Sequence, residues 1–303
     1  MKRVLRVIRL KYLPIFQQLC IEEALFYKTT SNWLLLNEGH PEAKPTVVLG
    51  ISGKPERMCN LELIQRDKVP LIKRFSGGGT VIVDGSTIFA SLIMNQEDVP
   101  ECKPYPREIM DWSKGIYGPA FESIATKSGV ELGLRENDYV FGDLKFGGNA
   151  QAITKGRWLH HTSFLWDFDP ANMLYLQMPE KRPQYRGDRD HQAFLTPLQE
   201  HIDSRQGLWP ALKVRRWRPF CPSYRLSPRG ALFLSQFGSG TALSGPKMAG
   251  VRVCVYFMYL YVVMWTPRWC FVGESAGVTQ EELLSSFLRL SSASQTSRRF
   301  ADR

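Results

Sequence analysis

Apolar and polar positions alternate along several short stretches of the chain, and this pattern predicts a series of β-strands. The first stretch, VLRVIRL, has the period of two that is typical of a half-buried strand. Other runs are leucine-rich or β-branched and are bounded by Asn, Gly or Pro, as expected of buried strands. They are NWLLLN, PTVVLGI, VPLIKRF, TVIVD, TIFASLIM, DYVFG and RWLHHTSFLWDFD.

Two longer stretches carry apolar residues close to helical spacing. Pro14 precedes a predicted helix over residues 15–27. A second helix is predicted within residues 105–127, where Gly115 and Gly118 are potential break points. Helices mixed with several adjacent strands predict an α/β or α+β domain rather than a sandwich or a helical bundle.

The basic residues are unevenly distributed. The formal net charge is +10, from 39 Lys+Arg and 29 Asp+Glu. Residues 208–303 hold 13 basic and 4 acidic residues, which leaves 26 basic and 25 acidic residues in residues 1–207. Because the excess charge lies in the last third, it does not indicate that the preceding part binds nucleic acid. We expect no nucleic-acid partner.

The amino-acid composition of the chain changes near residue 207. With 303 residues the chain can bury one sizeable core plus a small appendage. We predict one folded domain over residues 1–207 and an irregular, divergent tail over 208–303 that forms no compact domain. The tail contains VCVYFMYLYVVMW, a run of 13 residues, whereas a membrane span needs about 20. A buried strand pair and an interfacial anchor both remain open for this run.

The cysteines and the N-terminal sequence give an expectation for the cellular compartment of the protein. The six cysteines form no CxxC pair and have no nearby His at a zinc-ligand spacing, so we expect reduced thiols and no metal site. The N-terminal MKRVLRVIRL lacks a long apolar region and a cleavage site, which predicts no secretory signal. We expect an intracellular protein, with cytoplasmic, mitochondrial and plastid locations left open.

The stretch KRFSGGGTVIVD is the first candidate for chemistry. Three glycines, Gly77 to Gly79, lie between two predicted strands, with Arg74 close by. Glycines in series are kept where the backbone turns at positive φ or lies directly against another group. Exposed N–H groups beside a cation suit a phosphate or a carboxylate. From this segment alone, a hairpin turn without a ligand explains the glycines equally well.

A second glycine-rich stretch, ENDYVFGDLKFGGNAQ, repeats this combination. Lys145 precedes Gly147 and Gly148, and the amides Asn149 and Gln151 follow. We expect a bend here that holds the lysine ammonium against a phosphate or carboxylate, although most lysines are simply solvated. The recurrence of a cation beside paired glycines favours a ligand site.

Other motifs are weaker candidates for a metal, nucleotide or catalytic site. His160 and His161 are adjacent on a predicted strand, so they face opposite sides and cannot chelate one metal together. We expect one to be packed and the other exposed. The segment from Gly50 to Lys54 has the wrong spacing for a P-loop, and Pro55 replaces the hydroxyl that would bind magnesium. No GxSxG elbow is present.

Together, three motifs give the chain a resemblance to the lipoate/biotin protein ligase catalytic domain, over about residues 5–204, and more narrowly to lipoate-protein ligases. RFSGGGTVIVD is similar to the family's Arg-x-Ser-Gly-Gly-Gly-(Ala/Thr)-Val-x-His-Asp loop. NDYVFGDLKFGGNAQ is similar to its Asn-Asp segment with a following Lys-x-x-Gly-x-Ala, and LHHTSFL to its Leu-His-His strand. The resemblance implies a mixed β-sheet flanked by helices, of the class II synthetase-like type.

The resemblance also implies a two-step reaction. Such enzymes join the carboxylate of lipoate or octanoate to the α-phosphate of ATP, with Mg²⁺ expected, and pass the acyl group to a lysine of a lipoyl carrier domain. Lys145 matches the lysine that contacts both acyl carboxylate and phosphate. The other expected substrate- and nucleotide-binding residues are Arg74, Ser76, Gly77, Gly78, Gly79, Thr80, Val81, Ile82, Val83, Gly147, Gly148, Asn149 and His161.

Two departures from the family pattern keep alternatives open. Val83 stands where the family often has His, and Gly53-Lys54 where a Gln-Asn pair is common. Both remove polar groups near the expected site, so an ATP-independent lipoyl or octanoyl transferase and a catalytically impaired acyl- or carrier-binding protein remain alternatives. A biotin ligase is the sister activity on a similar fold.

A further possible mechanism is catalysis through an acyl-cysteine intermediate, which depends on where the cysteines lie. Related octanoyltransferases use a cysteine nucleophile, but residues 103–220 contain no Cys. Such catalysis would require Cys20, Cys59 or Cys102 to fold into the cleft.

Overall fold

The computed structural model describes most of residues 1–212 and one later strand. The described residues are 5–10, 12–39, 42–126, 131–178 and 182–212, with the backbone of 232–234. The helices are α1 (Ile15–Lys28), α2 (Pro55–Met58), α3 (Leu61–Arg66), α4 (Pro106–Glu122), α5 (His191–Phe194) and α6 (Leu208–Leu212). The strands are β1 (Leu5–Leu10), β2 (Asn32–Asn37), β3 (Thr46–Leu49), β4 (Leu71–Lys73), β5 (Val81–Val83), β6 (Thr87–Asn95), β7 (Leu132–Arg135), β8 (Asp138–Phe141), β9 (Leu144–Thr154), β10 (Arg157–Leu165) and β11 (Leu232–Leu234). Short 3₁₀ turns cover Gln96–Asp98, Pro170–Tyr175, Gln184–Arg186 and Leu198–Glu200.

Two sheets organise these strands. The larger sheet has the order β11-β1-β2-β6-β10-β9-β8-β7, and the smaller has the order β4-β3-β5. Pairing is parallel at β11-β1-β2 and at β3-β4, and antiparallel elsewhere. This architecture confirms the predicted mixed β-sheet flanked by helices.

Aromatic side chains of α4 pack on one face of the large sheet. Trp112 contacts Trp158 at a ring separation of 5.5 Å, and both Tyr117 and Phe121 lie 5.3 Å from Phe164. These edge-to-face contacts add to the stabilisation that comes from burying large rings.

Helix α1 covers the other face of the same sheet. Leu25 and Phe26 pack with Ile93 of β6 and Leu159 of β10. Because helices cover both faces, the central strands are buried on both sides, which explains why TIFASLIM is mostly apolar rather than alternating.

Both predicted helices are present. Helix α1 ends one residue after the predicted limit, and α4 runs without a break through Gly115 and Gly118. Burial of an apolar stripe of α4 against the sheet accounts for its continuity, because packing contributes more to helix stability than local propensity does.

The predicted bend around Lys145 is wrong, because this segment lies within strand β9. A side-chain carbon at Gly147 would approach the ring of Phe164 to 3.2 Å and that of Tyr139 to 3.4 Å. Glycine is therefore favoured at position 147 because the rings of Phe164 and Tyr139 pack closely against the strand there, and not because the backbone turns.

Beyond residue 207, the structure describes residues 208–212 and the backbone of 232–234. Helix α6 packs against α4, with Leu208 and Leu212 buried in the same core, and β11 pairs with β1. Most of the predicted tail over 208–303, including the apolar run at 253–265, lies outside the described residues. The division at residue 207 therefore stays a prediction. Within the described part, no helix has both the length and the apolar character needed to cross a membrane.

Candidate active-site cleft

A cleft lies between α1, the small sheet and strands β6, β9 and β10. Its apolar lining side chains, here called the apolar wall, lie beside the polar side chains of Arg74, Asn149, His161 and Ser163. The lining residues are Ile15, Leu19, Val48, Arg74, Val81, Phe89, Gly148, Asn149, Ala150, His161 and Ser163. The structure thus brings five of the predicted site residues together: Arg74, Val81, Gly148, Asn149 and His161.

The loop from Ser76 to Gly79, here called the glycine loop, is joined directly to β9. Gly77 N donates to Gln151 O at 2.8 Å, and Gln151 N donates back to Gly77 O at 3.3 Å. The two glycine-rich stretches therefore form one surface.

Two glycines, Gly78 and Gly50, allow this close packing. Gly78 has φ of +120°, and a Cβ there would lie 2.8 Å from Arg74 Nη2. Gly50 lies against the loop, since its Cβ would come within 2.1 Å of Gly78 O. A Cβ at Gly79 would meet nothing within 4 Å, so that end of the loop is open.

Arg74 holds the glycine loop from inside. Its side chain is 4% exposed and donates to Val48 O at 3.3 Å, Gly79 O at 2.7 Å and Gly77 O at 3.4 Å. Burial lowers the pKa of Arg74 to about 10, against the opposing attraction of Glu22. Nε has no hydrogen-bond partner among the described residues. Direct binding of a ligand by Arg74 stays a prediction.

Lys145 points from β9 toward the cleft residue Gly148. A side-chain carbon at Gly148 would lie 3.8 Å from Lys145 Nζ. The ammonium is paired with Asp138 Oδ1 at 2.7 Å, and Tyr185 donates its hydroxyl to Asp138 Oδ2 at 2.9 Å. Sequence reasoning missed both Asp138 and Tyr185. The Asn-Asp pair that opens the second stretch was a usable signal for Asp138.

His161 belongs to a buried network with α1. Its Nδ1 donates to Glu22 Oε2 at 2.8 Å, and its Nε2 lies 3.3 Å from Ser76 Oγ. Glu22 Oε1 also accepts from Gln18 at 2.7 Å and from Ser91 at 2.6 Å. The network ties α1, β6, β10 and the glycine loop together.

Glu22 is ionised within this network. Burial by itself would raise the pKa of Glu22, but the attraction of His161 and hydrogen bonds from His161, Gln18 and Ser91 outweigh it, so the pKa is lowered. Glu22 was also missed from the sequence. Two polar residues one helical turn apart, Gln18 and Glu22, on the buried face of α1 are the signal that identifies it.

Ser76, His161 and Glu22 are connected in the order of a nucleophilic triad, but the arrangement does not suit nucleophilic attack. A nucleophile must reach the reacting carbonyl carbon. Ser76 is 0% exposed and does not line the cleft, so its hydroxyl is not presented for attack, and ligand binding at Ser76 stays a prediction. The three residues therefore position the glycine loop.

His160 faces the opposite side of β10, as predicted for adjacent residues. Its Nε2 lies 3.3 Å from Ser113 Oγ and 3.2 Å from the Tyr139 hydroxyl, and its Nδ1 lies 3.1 Å from Gln151 Nε2. Burial lowers the pKa of His160 to about 3, so it is neutral. The expectation that one histidine is exposed is wrong, because helices cover both sheet faces and bury both side chains.

The remaining predicted site residues lie around the cleft rather than in its lining. The side chains of Ile82 and Val83 pack into two apolar clusters, so only their backbones are free to face a ligand. Gly147 packs under Phe164. Thr80 follows the glycine loop, and its buried Oγ1 has no partner within the described chain. Ligand binding at these positions stays a prediction.

The three described thiols do not suit acyl transfer. None of them lines the cleft. Burial, aided by neighbouring carboxylates, raises the pKa to about 12 for Cys20, about 11 for Cys59 and about 12 for Cys102. Because the thiolate is the nucleophile, these positions do not support an acyl-cysteine intermediate. The described residues also contain no group of three or more His, Cys, Asp or Glu side chains that could hold a metal ion.

Comparison with known proteins gives a family and a fold. The profile of the lipoyl protein ligase A/B catalytic domain matches residues 14–209. A curated relative, inactive lipoate–protein ligase 2 of Plasmodium falciparum (isolate 3D7), is 30% identical over 233 residues, covering 61% of this chain and 60% of the relative. The chain therefore spans about 60% of that relative's length.

Solved structures share the fold at low identity. A lipoate-protein ligase A bound with ATP has a TM-score of 0.60 at 16% identity, covering 78% of this chain and 90% of that one. Ta0514 of Thermoplasma acidophilum with bound lipoic acid has a TM-score of 0.58 at 16% identity, covering 78% and 91%. Plasmodium falciparum LipL1 in complex with lipoate has a TM-score of 0.55 at 18% identity, covering 75% and 67%.

Proposed function

This chain belongs to the family of the lipoyl protein ligase A/B catalytic domain, and from that premise we propose that it activates lipoate or octanoate with ATP and transfers the acyl group to a lysine of a lipoyl carrier domain. The observation that carries the proposal is that the glycine loop is joined to β9 through Gln151, and that Lys145 of the same strand lies beside the cleft residue Gly148. The carrier lysine is the final acceptor.

Groups in and around the cleft would fit both halves of an acyl adenylate. ATP would supply the α-phosphate that the acyl carboxylate attacks, with pyrophosphate as the leaving group. The open backbone at Gly79, the partnerless hydroxyl of Thr80 and the ammonium of Lys145 would hold phosphate oxygens. Mg²⁺ would arrive with the phosphates rather than at a protein site. The apolar wall would hold the acyl chain along Leu19 and Phe89.

Lys145 is the residue to which we assign catalysis. Activation brings two anions together, so it needs positioned cations and donors more than a protein nucleophile. The side chain of Lys145 is 24% exposed, and one of its three N–H donors is directed to Asp138. The other donors are available to the carboxylate and the phosphate.

A second candidate is transfer from a preformed acyl adenylate without ATP. Val83, where the family often has His, is 8% exposed and lies in an apolar cluster, so it offers no polar group to a nucleotide. Lys145 and the glycine loop would still serve transfer.

The test measures pyrophosphate release with lipoate, octanoate or biotin as the acid, and separately measures transfer from chemically prepared lipoyl adenylate to a lipoyl carrier domain. We expect release with lipoate or octanoate, reduced by about 100-fold or more in Lys145→Ala, because a positioned charge at the reacting phosphate is lost. Lys155→Ala, an exposed lysine in the turn after β9, is the matched control and is expected to retain activity.

The outcomes separate the readings. Transfer from the prepared adenylate without pyrophosphate release supports the second candidate. Release with biotin alone supports a biotin ligase. If neither pyrophosphate release nor acyl transfer is observed, the result supports an acyl- or carrier-binding protein. Release that is unchanged in Lys145→Ala contradicts the catalytic assignment of Lys145.

A further inference from the structure

We propose that Tyr185 is a positioning residue for Lys145 and acts through Asp138. The inference rests on the proposed function, because it gives Lys145 its role at the acyl adenylate. It adds to that function a residue from a separate segment of the chain, 40 positions after Lys145.

Hydrogen bonds connect the three side chains in series. The Tyr185 hydroxyl donates to Asp138 Oδ2 at 2.9 Å, and Lys145 Nζ contacts Asp138 Oδ1 at 2.7 Å. Each carboxylate oxygen is thus occupied by a different donor. The Asp138 side chain is only 7% exposed, so solvent has little access to replace a lost partner.

Tyr185 is itself held in place from several sides. It lies in the 3₁₀ turn Gln184–Arg186, and its ring centroid is 5.3 Å from that of Phe194. Its backbone N donates to Glu136 Oε1 at 3.3 Å, and the Arg135 guanidinium lies 6.0 Å from its ring centroid. The hydroxyl therefore has a defined direction.

The segment that carries Tyr185 is also attached to the strand that carries Lys145. Thr196 N donates to Lys145 O at 2.9 Å, and Lys145 and Leu195 form an isolated parallel bridge. Burial and the charge of Asp138 raise the pKa of Tyr185, so the phenol stays protonated and remains a donor. Both ends of the connection are therefore fixed relative to β9.

Loss of the tyrosine hydroxyl would leave one carboxylate oxygen without its donor. The Asp138 carboxylate would then be free to rotate, which would change its contact with Lys145. The ammonium would move away from the position that suits the adenylate phosphate. Small misplacements of catalytic groups have large effects on rate. The effect is expected on the chemical step more than on substrate binding, because Tyr185 is not among the residues that line the cleft.

The first experiment compares Tyr185→Phe with Tyr175→Phe in the full chain. Tyr175 is a matched control, because its hydroxyl also donates to an aspartate, Asp67, at 3.0 Å from a 3₁₀ turn away from the cleft. We measure kcat and KM for transfer from prepared lipoyl adenylate to a lipoyl carrier domain. We expect kcat to fall about tenfold in Tyr185→Phe with KM within about twofold, and no change in Tyr175→Phe.

The second experiment is a double-mutant cycle with Asp138→Asn. If Tyr185 acts through Asp138, adding Tyr185→Phe to Asp138→Asn lowers kcat by less than about twofold. The ammonium NMR signal of Lys145, assigned by its loss in Lys145→Ala, gives a reading that needs no turnover. It is expected to shift in Tyr185→Phe and not in Tyr175→Phe.

Several results would overturn the inference. An unshifted Lys145 signal with wild-type kcat in Tyr185→Phe, while Lys145→Ala is impaired, rejects the role of Tyr185 and leaves the proposed function standing. Full additivity of Tyr185→Phe and Asp138→Asn rejects action through Asp138. Wild-type transfer by Lys145→Ala rejects the assignment of Lys145, and the inference falls with it.

Discussion

At the scale of single residues, Glu22 is a fully buried carboxylate on the face of α1 that packs against the sheet, one helical turn from the buried Gln18. Removing a charge from water is costly unless hydrogen bonds replace the lost hydration. Here Gln18, Ser91 and His161 all donate to the carboxylate. The network therefore fixes the position of α1 against the sheet and, through Ser76, the position of the glycine loop.

We predict that Glu22→Gln lowers the free energy of unfolding by about 2 kcal/mol near neutral pH, because an amide group would face donors and leave them unpaired. The pKa of Glu22 is lower in the folded chain than the ordinary value of 4.5, so the unfolded chain binds the proton more readily. The contribution of Glu22 is thus complete above that value and is lost as the pH falls toward the folded-state pKa.

Equilibrium urea unfolding at several pH values provides the measurement. The stability difference between wild type and Glu22→Gln should narrow as the pH falls below 4.5. Glu131→Gln, which changes an exposed glutamate, is the control and should follow the wild type. A difference that widens on acidification would contradict an ionised Glu22.

At the scale of elements, the glycine loop is held by backbone contacts from two neighbouring elements. The β3–α2 connection lies beneath it through Gly50, and β9 pairs with it through Gln151. Arg74 fills the interior and donates to the loop carbonyls. Little room is left for side chains on the buried side of this loop, whereas Gly79 on the other side is open.

We predict that Gly50→Ala destabilises the protein by about 3 kcal/mol or more, because its Cβ would lie 2.1 Å from the Gly78 carbonyl oxygen and backbone would have to move. Gly79→Ala should change stability by less than about 1 kcal/mol, since its Cβ meets nothing within 4 Å. Thermal and urea unfolding of the two variants test this contrast. Equal stability of the two would mean that the loop does not pack as described.

At the scale of the whole molecule, the core extends past the predicted domain limit at residue 207. Leu208, Ala211 and Leu212 are buried in the same cluster as the α4 side chains. Burial of this short helix contributes apolar area to the domain, so the contribution of α6 can be measured directly.

We predict that Leu212→Ala lowers the free energy of unfolding by about 3 kcal/mol, as expected when a buried leucine is truncated. Leu174→Ala is the matched control, because Leu174 is 64% exposed and its truncation should cost less than about 0.5 kcal/mol. Urea unfolding of the full-length variants gives both values. Equal effects would show that α6 does not pack on the core in solution.

Predictions from the sequence succeeded where the signal is local. The limits of α1 follow from Pro14 and from the apolar spacing that comes after it, and these depend on neighbours within a few residues. Strand β9 was mistaken for a bend because Gly147 and Gly148 are typical of turns. Gly147 is explained by the rings of Phe164 and Tyr139, which the sheet brings alongside, and a Cβ at Gly148 would lie 3.3 Å from Ser163 Oγ.

The candidate site shows the same division. Arg74, Lys145 and His161 were found from motifs that lie within short stretches of sequence. Glu22, the partner of His161, and Tyr185, which donates to the Asp138 that pairs with Lys145, were not found, because Glu22 is 139 positions from His161 and Tyr185 is 47 positions from Asp138. No local pattern records such pairs.

The amino-acid sequence by itself determined the mixed α/β class, the two glycine-rich stretches and the family resemblance, since periodicity and motif spacing are properties of consecutive residues. Tertiary structure alone decided that both histidines are buried, that Arg74 holds loop carbonyls and that Lys145 is paired with Asp138 beneath Tyr185. The physical reason is that burial and ion pairing depend on which strands and helices become neighbours. Those neighbours are set by the order β6-β10-β9-β8 and by helices packing on both faces of the sheet.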